Sequence, residues 1–152
     1  MDIVAGRKPV LAALSGNRRV RQILLTKTLL SQPFGQEVLK AAAQLKIAVN
    51  QVTKDKLDQQ SQGVKHQGIL AQVDPFVYLS INEAELRLKT QAKATVVLLD
   101  GLTDPQNLGA IARTCLAFNV SYIFLPKRRT ALITPTVVKA AAGATEHLQF
   151  VQ

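Results

Sequence analysis

The sequence lacks tryptophan and has only one cysteine, Cys115. A single cysteine cannot form a disulfide within the chain, which excludes a disulfide-held scaffold and favours a reducing compartment. No apolar run approaches the ~18 residues that a membrane-spanning helix needs. The opening residues MDIVAGRK place their basic residues after the apolar ones, which is the wrong order for a signal peptide. We therefore expect a cytoplasmic protein with no membrane partner.

Acidic residues are scarce relative to basic ones. The 152 residues include 19 Lys and Arg against 10 Asp and Glu, a formal net charge of +9. Up to residue 92 there are 13 basic and 7 acidic residues, and from residue 93 onward there are 6 and 3. This excess favours a polyanionic partner, chiefly nucleic acid, although a solvated basic surface gives the same composition. The first part of the chain is the predicted electrostatic footprint.

Apolar spacing and chain-breaking residues predict alternating helices and strands in residues 1–75, which we interpret as one small α/β unit. The predicted helices lie near 10–15, 33–46 and 54–60, and the predicted strands at 20–25, 47–52 and 68–73. Asp74-Pro75 then breaks the pattern, so residues 76–92 are predicted to be a connector. Its Ser80 and Glu83 form a capping box, which predicts a helix to about Lys89.

Residues 93–152 predict a second α/β unit. The continuous apolar run 95–99 is typical of a strand covered on both faces. A helix from Asn107 to about Phe118, a strand at 121–125, a helix starting at Thr134-Pro135 and a strand at 148–151 follow. Strands that alternate with helices in this way predict a parallel sheet, so the fold class is α/β.

The loop after the first of these strands carries the most chemical information. Ligands of open parallel sheets bind outside the carboxyl ends of strands, where this loop lies. Gly109 removes a side chain so that a ligand or another chain can approach, and Arg113 offers a planar fork suited to phosphate. Each residue also has an ordinary alternative: Asn107 as a helix cap, Gly109 as a helix-packing residue, and Arg113 as a solvated arginine.

This stretch resembles the first signature motif of the SpoU (TrmH-like) methyltransferases, Asp-Pro-x-Asn-x-Gly followed by Arg. Residues 104–109, DPQNLG, and Arg113 match it. The segment 139–149, KAAAGATEHLQ, is similar to the family's Ala-Gly-Ala-x-Glu segment and places its glutamate at Glu146. Two further segments resemble the family's RNA-binding domain: 6–14, GRKPVLAAL, and 64–71, VKHQGILA. The resemblance covers nearly the whole chain in the expected order.

The resemblance implies transfer of a methyl group from S-adenosylmethionine to a ribose 2′-hydroxyl of RNA, with an added front domain favouring rRNA over tRNA. It implies a trefoil-knotted α/β (SPOUT) catalytic domain, an exception to the rule against knots, and a homodimer with its active site at the subunit interface. It also implies that 1–75 is a ribosomal-protein-like RNA substrate-binding domain and 93–152 the first part of the catalytic domain.

By the same resemblance the catalytic residues are Asn107, Arg113 and, in a supporting role, Glu146. The family's arginine is proposed as the base that takes the proton of the 2′-hydroxyl. A guanidinium keeps its proton far above neutral pH, so it is a poor base unless its cation is strongly destabilised. Arg113 can instead hold the adjacent phosphate and stabilise the developing alkoxide. Both roles stay open at this point.

The family's second and third motifs, a Gly-x-Glu segment and a Ser-Leu-Asn-Val-Ser-type helix start, are absent from this sequence. They form the knot and the donor pocket, so we assign no cofactor-binding residue and expect the natural protein to continue beyond Gln152. We predict that this chain alone neither binds the donor tightly nor methylates RNA.

RNA contacts are predicted mainly in the first unit. The predicted RNA-binding residues are Arg7, Lys8, Arg18, Arg19, Arg21, Lys65, His66 and, in the second unit, Lys127, Arg128 and Arg129. A lone basic triplet is often only a solvated loop, and His66 can equally be a hydrogen-bonded structural residue. No carboxylate or cysteine stands at metal-ligand spacing, so no metal site is assigned.

Two other functions remain open. The first is a non-catalytic RNA-binding protein, which would not need the Asn107 and Arg113 pattern. The second is a doubly wound nucleotide-binding enzyme of another class. It is weakened because the sequence contains neither a Gly-x-Gly-x-x-Gly motif nor a phosphate-binding Gly-Lys-Ser/Thr loop.

Overall fold

The computed structural model describes all residues from Met1 to Gln152. They divide into two compact units, Met1–Pro75 and Phe76–Gln152, each with its own β-sheet. No helix has both the length and the apolar character needed to cross a bilayer.

The first unit surrounds a four-stranded mixed sheet. In chain order it contains β1 (Asp2–Ala5), α1 (Arg7–Ser15), β2 (Val20–Thr26), α2 (Lys27–Leu30), α3 (Pro33–Gln44), β3 (Ala48–Val52), α4 (Lys54–Gln60) and β4 (Ile69–Val73). The helix and strand pattern predicted from the sequence is confirmed, except that β1 and α2 were not predicted. Part of the core consists of Ile3, Leu24, Leu57 and Leu70, which are buried and pack together.

The pairing of these strands gives the first sheet two distinct edges. The strand order is β1-β4-β2-β3, with β2 and β3 parallel and β4 antiparallel to both β1 and β2. The carboxyl edge is therefore defined by Ala5, Thr26 and Val52 at the ends of three strands and by Ile69 at the start of β4. The amino edge lies at the other end of the same strands.

The second unit contains a three-stranded parallel sheet, as predicted. Its elements are α5 (Ile81–Lys89), β5 (Val96–Leu98), α6 (Pro105–Ala117), β6 (Tyr122–Phe124), α7 (Pro135–Ala140), a 3₁₀ turn (Ala144–Glu146) and β7 (Gln149–Val151). The strand order is β5-β6-β7, and both pairs are parallel. The three strands end together at the carboxyl edge of this sheet, where the loops that lead into α6 and α7 begin.

The segment predicted as a connector is folded onto the second sheet. Ala84 of α5 packs with Tyr122 and Val151, and the Leu79 N–H donates to the Phe150 carbonyl at 2.8 Å. The capping box is present: the Ser80 hydroxyl accepts from the Glu83 N–H, and the Glu83 carboxylate accepts from the Ser80 N–H at 2.8 Å. This segment therefore belongs to the second unit's core.

One prediction about this sheet is wrong. The apolar run that forms β5 was expected to be covered on both faces, yet Val96 is 40% and Leu98 75% exposed. The physical reason is that β5 lies at the edge of the sheet and packs chiefly against β6, so little of this chain covers its two faces.

Candidate functional site

Asn107 lies in the first turn of α6, at the carboxyl edge of the second sheet. The cap of this helix is Asp104, whose carboxylate accepts from the Gln106 N–H at 3.1 Å and from the Asn107 N–H at 3.2 Å. Pro105 is the first helical residue, so the helix starts two residues earlier than predicted. The alternative of Asn107 as the cap is therefore wrong, and its exposed side chain is available to a ligand.

Arg113 is exposed two turns further along the same helix. The buried face of α6 consists of Leu108, Gly109, Ala112 and Cys115. A six-residue separation places Asn107 and Arg113 about 9 Å apart along the helix axis. Both side chains therefore face away from the core, and the guanidinium is not sealed in a packed interior.

Gly109 serves helix packing. A Cβ at this position would lie 2.4 Å from Ala140 Cβ and 2.8 Å from Ala141 N. The close approach expected at this glycine is thus made by the end of α7, within the chain. The packing alternative is the one that the structure supports.

Glu146 is 1% exposed and lies in the 3₁₀ turn that packs against α6. The Thr145 hydroxyl lies 3.5 Å from Glu146 Oε1. The Glu146 carboxylate is therefore not on the surface where Asn107 and Arg113 are exposed. The arrangement fits a residue that positions the helix better than one that touches a substrate.

Two loops meet at the carboxyl edge of the second sheet. The Ala131 N–H donates to the Leu102 carbonyl at 2.7 Å, and the Ile133 N–H donates to the Tyr78 hydroxyl oxygen at 2.8 Å. The basic triplet 127–129 is exposed in the loop so anchored. The structure thus brings the triplet's loop next to the loop that leads into Asn107.

Two of the predicted RNA-binding arginines are engaged within the first unit. Arg18 Nη1 lies 3.0 Å from Asp2 Oδ2, with only 10% of its side chain exposed. Arg21 contacts both oxygens of Asp74, at 2.5 Å and 3.1 Å. This arginine holds the pKa of Asp74 below its ordinary value, chiefly by hydrogen bonding. The charges of these arginines are largely balanced inside the chain, whereas Arg19 is exposed.

The remaining predicted residues of the first unit lie at its carboxyl edge. Arg7 donates to Gln32 Oε1 at 2.9 Å and lies 5.4 Å from the centre of the Phe34 ring, while Lys8 and Lys65 are exposed. His66 is buried, and both of its ring nitrogens are hydrogen-bonded within the chain. The contacts of His66 are therefore those of a hydrogen-bonded structural residue, the alternative to an RNA contact.

Three exposed lysines at this edge were not among the predicted residues: Lys27, Lys54 and Lys56. The available signal was positional. Lys27 follows β2 and Lys54 follows β3, and the carboxyl ends of parallel strands are the usual place for ligands.

Comparison with known proteins assigns both units. Residues 3–79 match the family described as RNA 2′-O ribose methyltransferase substrate binding, and residues 94–152 match the SpoU rRNA methylase family. The chain is 40% identical over 148 residues to an uncharacterized tRNA/rRNA methyltransferase of Synechocystis, covering 97% of this chain and 38% of that protein. It is 36% identical over 151 residues to a putative TrmH family tRNA/rRNA methyltransferase of Staphylococcus epidermidis, covering 99% and 60%.

Solved structures share the fold. The SpoU methyltransferase AviRb from Streptomyces viridochromogenes, in complex with AdoMet, superposes with a TM-score of 0.72 at 19% identity, over 98% of this chain and 53% of that one. An AdoMet-bound rRNA methyltransferase from Sinorhizobium meliloti gives 0.71 at 22% identity, over 99% and 54%. The chain spans between 38% and 60% of the length of the two sequence relatives. Because the two family matches follow each other along almost all of its length, the chain belongs to the SpoU methylase family.

Proposed function

We propose that the protein methylates RNA, transferring a methyl group from S-adenosylmethionine to a ribose 2′-hydroxyl, with rRNA as a better substrate than tRNA. The observation that carries this proposal is the exposure of Asn107 and Arg113 on the helix that begins at the carboxyl edge of a parallel sheet. The names of the relatives support the same reaction class. We further propose that it acts in the cytoplasm and, by family resemblance, as a homodimer.

The two units divide the work in this proposal. Residues 1–75 hold the RNA substrate, residues 76–92 link the units while packing on the second sheet, and residues 93–152 carry the first catalytic motif. The family matches at 3–79 and 94–152 support these boundaries. The excess of basic residues before residue 93 is consistent with an RNA-holding role for the first unit.

Arg113 is proposed to act through its positive charge. Water solvates an exposed guanidinium, and a solvated cation does not give up its proton to serve as a base. A guanidinium can instead hold the phosphate next to the target ribose and stabilise the oxygen as it loses its proton. Asn107 then supplies a second polar contact at the start of the same helix. Glu146 positions that helix from beneath, and the triplet 127–129 holds the RNA backbone.

The residues of this chain do not by themselves fit the methyl donor. At the carboxyl edge of the second sheet, β5 is the last strand and Leu98 is 75% exposed, so this side of the edge is open to solvent and encloses no ligand. We therefore assign no residue to S-adenosylmethionine. The chain alone is expected to show neither micromolar donor binding by calorimetry nor methyl transfer.

A chimera tests the proposed reaction. In the Staphylococcus epidermidis relative, the part that this chain matches is exchanged for this chain, and the product is incubated with rRNA and a donor with a tritiated methyl group. We expect methyl incorporation at ribose, recognised because a 2′-O-methyl blocks alkaline cleavage of the next phosphodiester. Labelled nucleosides methylated on the base, or no transfer to RNA, would contradict the proposal.

Variants of the chimera assign the residues. Arg113→Ala is expected to lower the single-turnover rate by about 10²–10³-fold, the loss typical of removing one group that stabilises an oxyanion. Arg113→Lys keeps the charge and loses the planar fork, so near-full activity would exclude a bidentate role. Gln106→Ala, at the exposed neighbour of Asn107, is the matched control for Asn107→Ala and should stay active.

A further inference from the structure

We propose that the RNA backbone binds in a cleft at the carboxyl edge of the first sheet, held by Lys27, Lys54, Lys56 and Lys65. The inference rests on the proposed RNA substrate and names where the first unit takes it. In this proposal the main RNA contact lies at the carboxyl edge, and not at Arg18 and Arg21, which lie at the amino edge of the same sheet.

The cleft is large and lies where ligands of parallel strands bind. It has a volume of about 1140 Å³ and is lined by the residues that follow β2 and β3 and by the loop that precedes β4. Pockets for small ligands occupy ~300–1,000 Å³. A cleft of this size and position is suited to a segment of a polymer.

The charge of the cleft is strongly positive. Its lining contains four lysines and one carboxylate, Asp58, which is hydrogen-bonded to His66. None of the four ammonium groups is in an ion pair, and all four side chains are exposed. Lysines free of partners can neutralise phosphates and release the counterions bound to them.

The amino edge offers a weaker site. One cavity there, of about 600 Å³, is lined by residues that include Arg21 and Asp74. A second, of about 290 Å³, is lined by residues that include Arg18, Arg19, Arg21 and Lys46. Two of these four cations are paired with Asp2 and Asp74, which leaves Arg19 and Lys46. Both the unbalanced charge and the space available therefore favour the carboxyl edge.

The wall of the cleft formed by residues 61–68 is fixed in place. His66 ties it to α4 through Asp58, and the Thr26 N–H donates to the Gly68 carbonyl at 3.0 Å on the other side. Gly68 has a φ of +86°, and a Cβ there would lie 3.1 Å from Thr26 Oγ1. The tight turn brings Lys65 to the rim without a side chain filling the space between the loop and β2.

The chemistry of the lining indicates backbone contacts without base reading. No Phe, Tyr or Trp lines the cleft, and the one imidazole in its wall, His66, is buried and hydrogen-bonded through both ring nitrogens, so no exposed ring offers a platform on which bases could stack. Lysine is a point charge on a flexible stem and does not impose the geometry that bidentate base recognition requires. Binding should therefore depend strongly on salt and weakly on sequence.

The test compares matched losses of charge at the two edges. The 152-residue chain is titrated into fluorescein-labelled RNA hairpins of two unrelated loop sequences, followed by fluorescence anisotropy at about 50 and 200 mM KCl. The cleft pair is Lys54→Gln/Lys65→Gln, and the control pair is Arg19→Gln/Lys46→Gln. Each pair removes two exposed charges from the same unit, and circular dichroism verifies that both variants fold.

We expect the cleft pair to weaken RNA binding at least about tenfold at the lower salt, and the control pair to change it by less than threefold. Each phosphate contact contributes ~0.7–0.9 to the magnitude of the slope of log K against log salt. Replacing all four cleft lysines by Gln should therefore lower that magnitude by about 3. Equal losses in both pairs, no loss in either pair, or a tenfold preference between the two hairpins would overturn the cleft while leaving RNA binding intact. No binding by the unchanged chain would overturn the cleft and the RNA role of the first unit together.

Discussion

His66 Nε2 lies 2.9 Å from Asp58 Oδ1, and the other ring nitrogen, Nδ1, accepts a hydrogen bond from the Gly68 N–H at 2.9 Å. Because Nδ1 accepts, the ring proton lies on Nε2 and is donated to the carboxylate. One buried imidazole thus links α4 to the turn that leads into β4. Asp58 and Gly68, which the imidazole joins, both line the cleft that contains the four lysines.

Replacement of His66 by Ala should loosen this wall. The change removes two hydrogen bonds and leaves the Gly68 N–H without its side-chain acceptor, so we expect a loss of about 2 kcal/mol in the free energy of unfolding. Urea unfolding followed by far-ultraviolet circular dichroism measures it. Asp58→Asn is the matched control, since its amide oxygen can still accept from Nε2 and the loss should be smaller. Equal stability of His66→Ala and the unchanged chain would show that these bonds do not hold the wall.

The packing of Gly109 against Ala140 makes a second prediction. Gly109→Ala places a Cβ 2.4 Å from Ala140 Cβ, so α6 and α7 must separate. Overpacking of this kind costs about 1–3 kcal/mol and should exceed the gain of about 1 kcal/mol in helix propensity. Tyrosine fluorescence during urea unfolding reports on this unit alone, because both tyrosines, Tyr78 and Tyr122, belong to it and the chain has no tryptophan.

A double variant separates the clash from other effects. Ala140→Gly removes the 2.4 Å contact and leaves two backbone contacts, at 2.8 Å with the nitrogen of Ala141 and at 2.9 Å with the carbonyl carbon of residue 140. Gly109→Ala should therefore cost less in the Ala140→Gly background than in the unchanged chain. If the two changes add without coupling, the Ala140 side chain is not what requires a glycine at 109.

Features that depend on a few neighbouring residues were predictable from the sequence. The capping side chains of Ser80 and Thr134 each accept from an N–H three residues later, as the local patterns indicated. The parallel order of the second sheet followed from the strand and helix alternation. The start of α6 was displaced by two residues because both Asp104 and Asn107 are good caps, and only the backbone decides between them.

Features that depend on distant residues were not predictable in this way. β1 has four residues, and its pairing partner β4 lies more than sixty positions away, so no local pattern marks it. Arg18 and Arg21 were predicted as RNA contacts because a run of charges shows no partners. Asp74, which pairs with Arg21, is 53 residues away. The lysines of the cleft come from separate strands and form a group only once the sheet is built.

Ser80 gives a prediction with two readouts. Ser80→Ala removes the hydroxyl that caps α5, with an expected loss of about 1 kcal/mol in the stability of the second unit. The hydrogen bonds from the side chain and backbone of Ser80 hold the pKa of Glu83 below its ordinary value of 4.5. The same variant should therefore raise the Glu83 pKa, measured by NMR titration of its carboxyl carbon. Ser80→Thr keeps the hydroxyl and should change neither quantity. A Glu83 pKa that stays low in Ser80→Ala would rule out the Ser80 hydroxyl as its main cause, because the backbone N–H of residue 80 still donates to the carboxylate in this variant.

The pair formed by Asp74 and Arg21 should make the first unit sensitive to acid. The hydrogen bond from Arg21 holds the pKa of Asp74 below its ordinary value of 3.8, and the charges of Arg21 and Arg19 add to this. A carboxyl whose pKa is lower in the folded chain than in the unfolded chain stabilises the fold above the unfolded value. That contribution disappears as the pH falls through the folded value.

Arg21→Gln should therefore be less stable than the unchanged chain at pH 6, and the two unfolding curves should converge as the solution becomes more acidic. Arg19→Gln, which removes only a longer-range charge, should show a smaller difference, and high salt should reduce both because the pair is partly exposed. A stability difference for Arg21→Gln that stays constant between pH 6 and the acidic limit would mean that Asp74 does not gain its stabilisation from this arginine.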